Sequence, residues 1–252
     1  SVMLVERHTA PLVNMTLAVD AGFASDTAEH AGAASLALDL VDDGTTTKDT
    51  FRIVDELDAL GAQVTTGSSL DLSFVRLRAL KANLTPSLAI YADIVLNPSF
   101  PQGMIDLGKR RRLAQIGQEK AQPVPAAQRV VAPLLFGPAH AYGNPLTGSG
   151  FESTVSALTR DDLVKWHRDW FHPTNATLIV TGDVTLAALV PDLERAFGAW
   201  PAGQAPAKRI QPVPRTTGRR VYLMDRPGAP QSIIVAAHVS EAGGQAEDLA
   251  IQ

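Results

Sequence analysis

Between Leu12 and Ala21 apolar and polar residues alternate, with Val13, Met15, Leu17 and Val19 set against Asn14, Thr16, Ala18 and Asp20. A period of two sends successive side chains to opposite faces, so this run is predicted to be a strand with one face in a core. Val2–Glu6 reads as a shorter strand before it, and Gly22–His30 as a polar turn after it. Ala62–Ser68 and Leu70–Leu80 read as a loose hairpin around Gly67-Ser68-Ser69, and Thr177–Thr181 as an apolar strand ending at Gly182-Asp183.

Helical spacing fills the intervals. In Glu29–Thr45, Ala33, Leu36 and Leu40 form one stripe with Ala34, Leu38 and Val41 beside it. That makes a helix apolar on more than one side and therefore buried, with Asp39 in its middle. Gly44-Thr45 is predicted to end it through a left-handed Gly. Asp49–Leu60 reads as amphipathic, with Phe51, Val54, Leu57 and Leu60 at three-residue steps and Gly61 as its stop. Thr85-Pro86 looks like a cap and first turn, Leu88, Tyr91, Ala92 and Val95 a buried stripe, and Asn97-Pro98 an end. Pro101–Lys120 is predicted helical; its Lys109-Arg110-Arg111-Arg112 run reads as a solvated face rather than a contact for an acidic partner. Pro123–Phe136 continues as helix or turn, interrupted at Pro133. Thr159-Arg160-Asp161-Asp162 is a capping box before Leu163, Trp166 and Trp170, which read as packing residues, and Thr185–Phe197 is a last helix.

Pro201, Pro206, Pro212 and Pro214 mark an extended linker. Beyond it the chain repeats itself: VMLVERHTAP at Val2–Pro11 and VYLMDRPGAP at Val221–Pro230 share Val, Leu, Arg, Ala and Pro in register. Each leads into an apolar segment, Leu12–Val19 and Ile233–Val239. The organisation expected is a domain over residues 1–200, a Pro-rich linker over 201–220 and the beginning of a second, homologous domain over 221–252. The chain then reads as part of a longer polypeptide. It opens without an initiator Met or a signal peptide, as a mature form or an excised piece would.

Composition narrows the chemistry. A net charge of −4 gives no electrostatic footprint for nucleic acid or a membrane surface, and no apolar run reaches the length of a membrane span. Zero Cys rules out disulfides and thiolate ligands. Zinc needs three or four converging ligands, commonly two of them a helical turn apart. His8, His30, His140, His167, His172 and His238 contain no pair at i, i+3 or i+4. Ser149, in Gly148-Ser149-Gly150, lacks the G-x-S-x-G frame, and the Gly137–Gly150 loop does not match a phosphate cradle. The residues by themselves offer no catalytic centre.

Several motifs in series nevertheless resemble the pitrilysin/insulinase family of zinc peptidases. They are Ala21-Gly22 with Asp26; Leu96-Asn97-Pro98-Ser99-Phe100, similar to L-x-P-x-F; Ala141-Tyr142-Gly143-Asn144-Pro145-Leu146-Thr147-Gly148, similar to P-Y-G-x-P-x-x-G; and Leu158–Leu163, Phe171–Ala176 and Val180–Val184, similar to L-T-x-x-D-L, P-x-N-A and V-x-G-D-V. The likeness runs from Val2 to about Phe197 and resumes at Val221. It implies an α+β fold, an antiparallel sheet of six or so strands covered by helices. In the family an inverted motif, H-x-x-E-H, supplies two zinc ligands and the general base. Laid on Gly32-Ala33-Ala34 and Gly44-Thr45, its positions fall on Ser35, Leu38 and Asp39, and the third ligand, a Glu on a later helix, falls on Gln115. All four have lost the family residue.

The resemblance thus implies a non-catalytic half or subunit, as in two-half proteases of the mitochondrial-processing-peptidase kind. No zinc is expected in this chain, and zinc is expected in a homologous partner half. The chain would form a chamber wall opposite that half and act on peptides or unfolded segments. The family's substrate strand, N-A-x-T, corresponds to Thr65, Thr66, Gly67 and Ser68, with Asn and Ala replaced, so peptide binding by strand addition is an expectation here. The family's substrate-facing Arg and Tyr belong to a later domain. Bacterial members suggest the periplasm, and the absence of Cys fits the cytoplasm equally well. The competing reading is a structural or peptide-binding scaffold with no protease partner; a self-sufficient hydrolase using Asp39 or Ser35 is disfavoured.

Overall fold

The computed structural model describes residues 1–213, 218–228 and 231–240. Five strands, β1 (Val2–Glu6), β2 (Leu12–Val19), β3 (Gln63–Ser68), β4 (Ser73–Leu80) and β5 (Ala176–Gly182), form one sheet in the order β1-β5-β2-β4-β3. Pairing is antiparallel from β5 through β2 and β4 to β3, as expected for an α+β sheet. The edge strand β1 instead lies parallel to β5, with Leu4 opposite Val180. β1 and β2 run in opposite directions but never touch, because β5, arriving from far along the chain, fills the place between them. A parallel neighbour needs a long crossover, and local pattern carries no trace of it.

The predicted alternation sets the core. Val13, Met15, Leu17 and Val19 on β2, Val75, Leu77 and Ala79 on β4, and Leu178 and Val180 on β5 are buried on one face. Helices α1 (Ala33–Leu40), α2 (Thr50–Leu60), α3 (Leu84–Leu96), α7 (Arg160–Trp170) and α8 (Leu186–Phe197) contribute to the same apolar cluster. On the opposite face Asn14, Arg76 and Arg78 stay exposed. Helices α4 (Gln102–Ala121), α5 (Pro123–Phe136) and α6 (Glu152–Ala157) stack outward from α1. Tyr91 of α3 ties the layers together. Its hydroxyl accepts from Leu17 N–H at 3.1 Å and donates to Val75 C=O at 2.8 Å, between two residues that face each other across β2 and β4.

Helix ends are capped where the residues form local pairs, the predicted Gly61 stop and Thr159–Asp162 box among them. Asp49 accepts from Arg52 N–H at 2.9 Å, Gly61 closes α2 with φ 62°, and Thr159 and Asp162 exchange capping bonds. Other expectations need correction. Helix α1 ends at Leu40, because Gly44 and Thr45 are drawn into isolated bridges with Asp49 and Pro98. Gly44 has φ +151°, and a Cβ there would lie 2.9 Å from Ser99 Oγ. Helix α3 starts at Leu84, one residue ahead of Thr85, whose hydroxyl donates to Asp192 of α8 rather than capping. Helix α5 runs through Pro133 without a break. On α2 the buried residues are Ile53 and Leu57, and Phe51 is 82 % exposed. Three-residue steps drift about 60° per step around a helix, so a row chosen at that interval walks off the core face.

Residues 201–213 carry neither helix nor strand and lie along the domain. Lys208 donates to Asp71 C=O at 2.9 Å, Thr174 Oγ1 to Gly203 C=O at 2.5 Å and Ala141 N–H to Arg209 C=O at 3.1 Å. Pro214, and residues 229–230 and 241–252 of the expected second domain, lie outside the described residues. Its described parts, 221–228 and 231–240, show no helix or strand, and Val221, Leu223 and Ile234 are each 92 % exposed.

Candidate functional site

The positions that the resemblance assigns to zinc lie on α1 and α4, which pack directly against each other. Asp26 fixes the start of α1. Its carboxylate accepts from Gly32 N–H at 2.8 Å and Ala34 N–H at 2.9 Å, which satisfies amides that have no partner inside the helix. Burial pushes this carboxyl up to about 7 against the pull of those amides. Helix α4 approaches α1 closely through Gly108, where a Cβ would meet Leu36 Cδ1 at 3.1 Å and Leu40 Cδ2 at 3.2 Å. One turn later Arg112 donates to Asp39, forming an ion pair across the two helices.

The four assigned residues have separate uses. Ser35 is buried, and Leu38 is a core residue with 1 % exposure. Asp39 is not buried, contrary to expectation: its side chain is 55 % exposed, while Arg112 opposite it is 8 % exposed. An eight-residue helix has room for one outward position on its far flank, and the aspartate takes it. Gln115 is exposed, and its amide donates to Glu119 at 2.8 Å. Its neighbour Ile116 is fully buried and apolar. A site of this kind needs imidazole or carboxylate groups converging within about 2.0–2.2 Å of one ion. A buried hydroxyl, a leucine, a carboxylate engaged by arginine and a distant amide do not fit zinc. Among the described residues no three His, Cys, Asp or Glu side chains group as a metal site.

The histidines are occupied elsewhere. His8 lies 2.6 Å from Asp183 on the surface, His140 stacks on Phe136, and His167 is half-buried, stacked on Phe171 with Nε2 2.9 Å from Val95 C=O. Burial lowers His167 to about 4, so it is neutral. The Lys109–Arg112 run is not wholly solvated. Lys109 donates to the carbonyls of Ser156 at 2.6 Å and Leu158 at 2.7 Å, and Arg112 is inside. The acidic contact for its last member is the chain's own Asp39.

Beside Gln115 is a buried polar cluster that the sequence reading missed. Arg129 of α5 donates to Glu119 Oε2 at 2.7 Å, Ser149 Oγ at 2.6 Å and Gly150 C=O at 2.7 Å. Ser149 also donates to Glu119 at 2.7 Å. Burial pushes the Glu119 carboxyl up, but hydrogen bonds from Ser149, Arg129 and Gln115 outweigh it and hold it below its usual range. Arg129 is the single charge in PVPAAQRVVAPLLF, and a lone charge in an apolar helix was the available signal. Ser149 is therefore a strut between α4 and the 137–150 loop.

Thr65, Thr66, Gly67 and Ser68 belong to β3, an edge strand whose ladder partner among the described residues is β4 alone. An edge strand presents an outer row of backbone N–H and C=O groups, the feature by which extended chains add to sheets.

Residues 1–142 match the family model described as Insulinase (Peptidase family M16), and residues 157–251 match that of the Peptidase M16 inactive domain. An uncharacterized zinc protease of Bacillus subtilis is 23% identical over 159 residues, covering 63% of this chain and 38% of that protein. The probable mitochondrial-processing peptidase subunit beta of Schizosaccharomyces pombe is 26% identical over 196 residues, covering 77% of this chain and 42% of the other. The crystal structure of a peptidase M16 inactive domain from Pseudomonas fluorescens superposes with a TM-score of 0.78 at 26% identity, over 84% of this chain and 51% of that one. The chain thus spans about two fifths of the length of these curated relatives and about half of the Pseudomonas structure.

Proposed function

Because this chain belongs to the insulinase family of peptidases, peptidase family M16, we propose that it is a domain of a non-catalytic half. It builds one wall of a chamber that closes against a homologous, zinc-bearing half and acts on peptides or unfolded segments. The observation that carries this reading is the use made of Ser35, Leu38, Asp39 and Gln115. Two are packed into the interior, one is held by Arg112 and one by Glu119. None is left to bind a metal or to activate water, so the metal and the general base belong to the partner.

A wall of this kind contributes shape and backbone rather than reacting groups. In this reading β3 offers its free edge to an extended peptide, with Thr65, Thr66, Gly67 and Ser68 as the pairing stretch. Main-chain hydrogen bonds supply affinity and do not require the missing Asn and Ala side chains. The same reading makes 201–220 a linker and 221–252 the opening of a second domain, supported by the repeat of Val2–Pro11 at Val221–Pro230.

The test is reconstitution with a homologous chain or half carrying an intact H-x-x-E-H. The mixture is expected to show peptidase activity that neither component shows alone. A partner that is fully active alone removes the chamber-wall role and leaves the scaffold reading in its place.

A further inference from the structure

We propose that Arg112 stands where the metal would stand: its guanidinium, clasped by Asp39 between α1 and α4, ties the two helices together and closes the position to a divalent cation. The inference rests on reading this chain as a metal-free member of its family, and it assigns a cause to that state. Loss of ligands alone would remove the donors without placing a repelling charge between the two helices. What lies there instead is a fixed positive charge.

Three observations place it. Asp39 is the residue that falls on the second zinc-binding histidine, and Arg112 lies one helical turn before Gln115, the third position, on the same helix. Arg112 donates directly to Asp39, so its guanidinium sits between the two elements that a metal would bridge. The pair is asymmetric. Arg112 is 8 % exposed and Asp39 is 55 % exposed, so the cation is held inside while the carboxylate faces outward and remains solvated. Gly108, one turn earlier, brings the helices close enough for the bridge to form.

Around the pair the charges are sorted. Asp42 and Asp43 follow Asp39 at the end of α1, and Arg110 and Arg111 precede Arg112 on α4. Burial raises the carboxyls of both Asp42 and Asp43, while Arg111 counters the rise at Asp43. Arg112 pairs with Asp39, and a guanidinium, unlike a carboxylate or a neutral imidazole, has no lone pair to offer a cation.

Two experiments on the purified chain test the proposal. The first is a thermal-melting cycle with Asp39→Asn, Arg112→Leu and the double variant. If the two residues form a single tie, each single variant lowers Tm and the double loses little more than the worse single. Additive losses would overturn the inter-helix tie. The second restores the family ligands together, as Ser35→His, Leu38→Glu, Asp39→His and Gln115→Glu, with and without Arg112→Leu, and measures Co(II) and Zn(II) binding alongside circular dichroism. Metal affinity is expected to be at least about a hundredfold weaker while Arg112 remains, in line with like-charge repulsion at short range. Equal affinity in the two backgrounds would overturn exclusion by Arg112. Should the restored protein not fold, the melting cycle decides on the tie, and the smaller replacement Asp39→His with Gln115→Glu, with and without Arg112→Leu and titrated with Co(II), decides on exclusion: tighter binding without Arg112 supports it and equal affinity overturns it. Zinc bound by the unaltered chain would instead refute the non-catalytic reading itself.

Discussion

Replacing Arg129 by Met strands a buried carboxylate. Arg129 and Glu119 side chains are 6 % and 9 % exposed, and the guanidinium reaches Glu119, Ser149 and Gly150 at 2.6–2.7 Å. Removing one member of such a pair costs about 3–5 kcal/mol, because the remaining charge loses its partner but stays out of water. For a domain of this size, with Tm moving about 2–4 °C per kcal/mol, the expected drop is roughly 6–20 °C. The pH dependence is specific. In the wild type Glu119 titrates below its ordinary value, so its contribution is fully present above that value and lost as pH falls through the folded pKa. In Arg129→Met the burial that raises the carboxyl meets fewer opposing hydrogen bonds, and no cation. The deficit against wild type should therefore be largest near neutral pH and shrink on acidification. Urea unfolding at pH 7 and pH 5 reads both effects. The double variant Glu119→Leu/Arg129→Met should recover most of the loss, since an apolar pair of similar volume removes the stranded charge. A single-variant loss under about 1 kcal/mol, or a double variant worse than the single, would refute this account of the cluster.

Tyr91→Phe removes the hydroxyl between Leu17 N–H and Val75 C=O and should cost about 1–3 kcal/mol in urea unfolding, with faster amide exchange at Leu17; unchanged exchange there would remove the bridging role. His167 is held neutral by desolvation, its pKa lowered to about 4, so stability at this site falls as pH drops from 6.5 towards 4. His167→Gln should flatten Tm against pH over that window, and an unchanged slope would show that another group carries it. An extended peptide added in excess should slow amide exchange at Thr65–Ser68 more than in β2, and equal protection along both strands would rule out edge pairing.

The legible parts of the fold were those written in local pattern. Alternation in Leu12–Val19 located β2 and its buried face, and Asp49, Gly61, Thr159 and Asp162 carried their own capping partners within a few residues. What stayed hidden depends on residues far apart in the chain. β5 enters between β1 and β2 through pairing of Val2–Glu6 with Leu178–Gly182. Gly44 was read as a helix stop because a glycine after an apolar run has that meaning locally, whereas its conformation answers to Ser99 and Asp49.

The candidate site divides in the same way. Register with the family motifs picked out Ser35, Leu38, Asp39 and Gln115, but the partner of Asp39 lies 73 residues away. Arg112 was hidden in a run of four basic residues, three of which would read the same on any solvated helix. Its burial follows from the α1–α4 approach at Gly108, which is a tertiary fact. Glu119, Arg129 and Ser149 likewise come together from α4, α5 and a glycine-rich loop, and of the three Arg129, a lone charge in an apolar helix, carried the local signal.

The measurement closest to the central claim is zinc content. The chain, purified after growth and handling in zinc-supplemented buffer, is expected to carry no stoichiometric zinc by elemental analysis and to keep its Tm in the presence of chelator. A stoichiometric zinc that chelator removes, with a fall in Tm, would contradict the reading of this chain as the metal-free wall of a zinc peptidase.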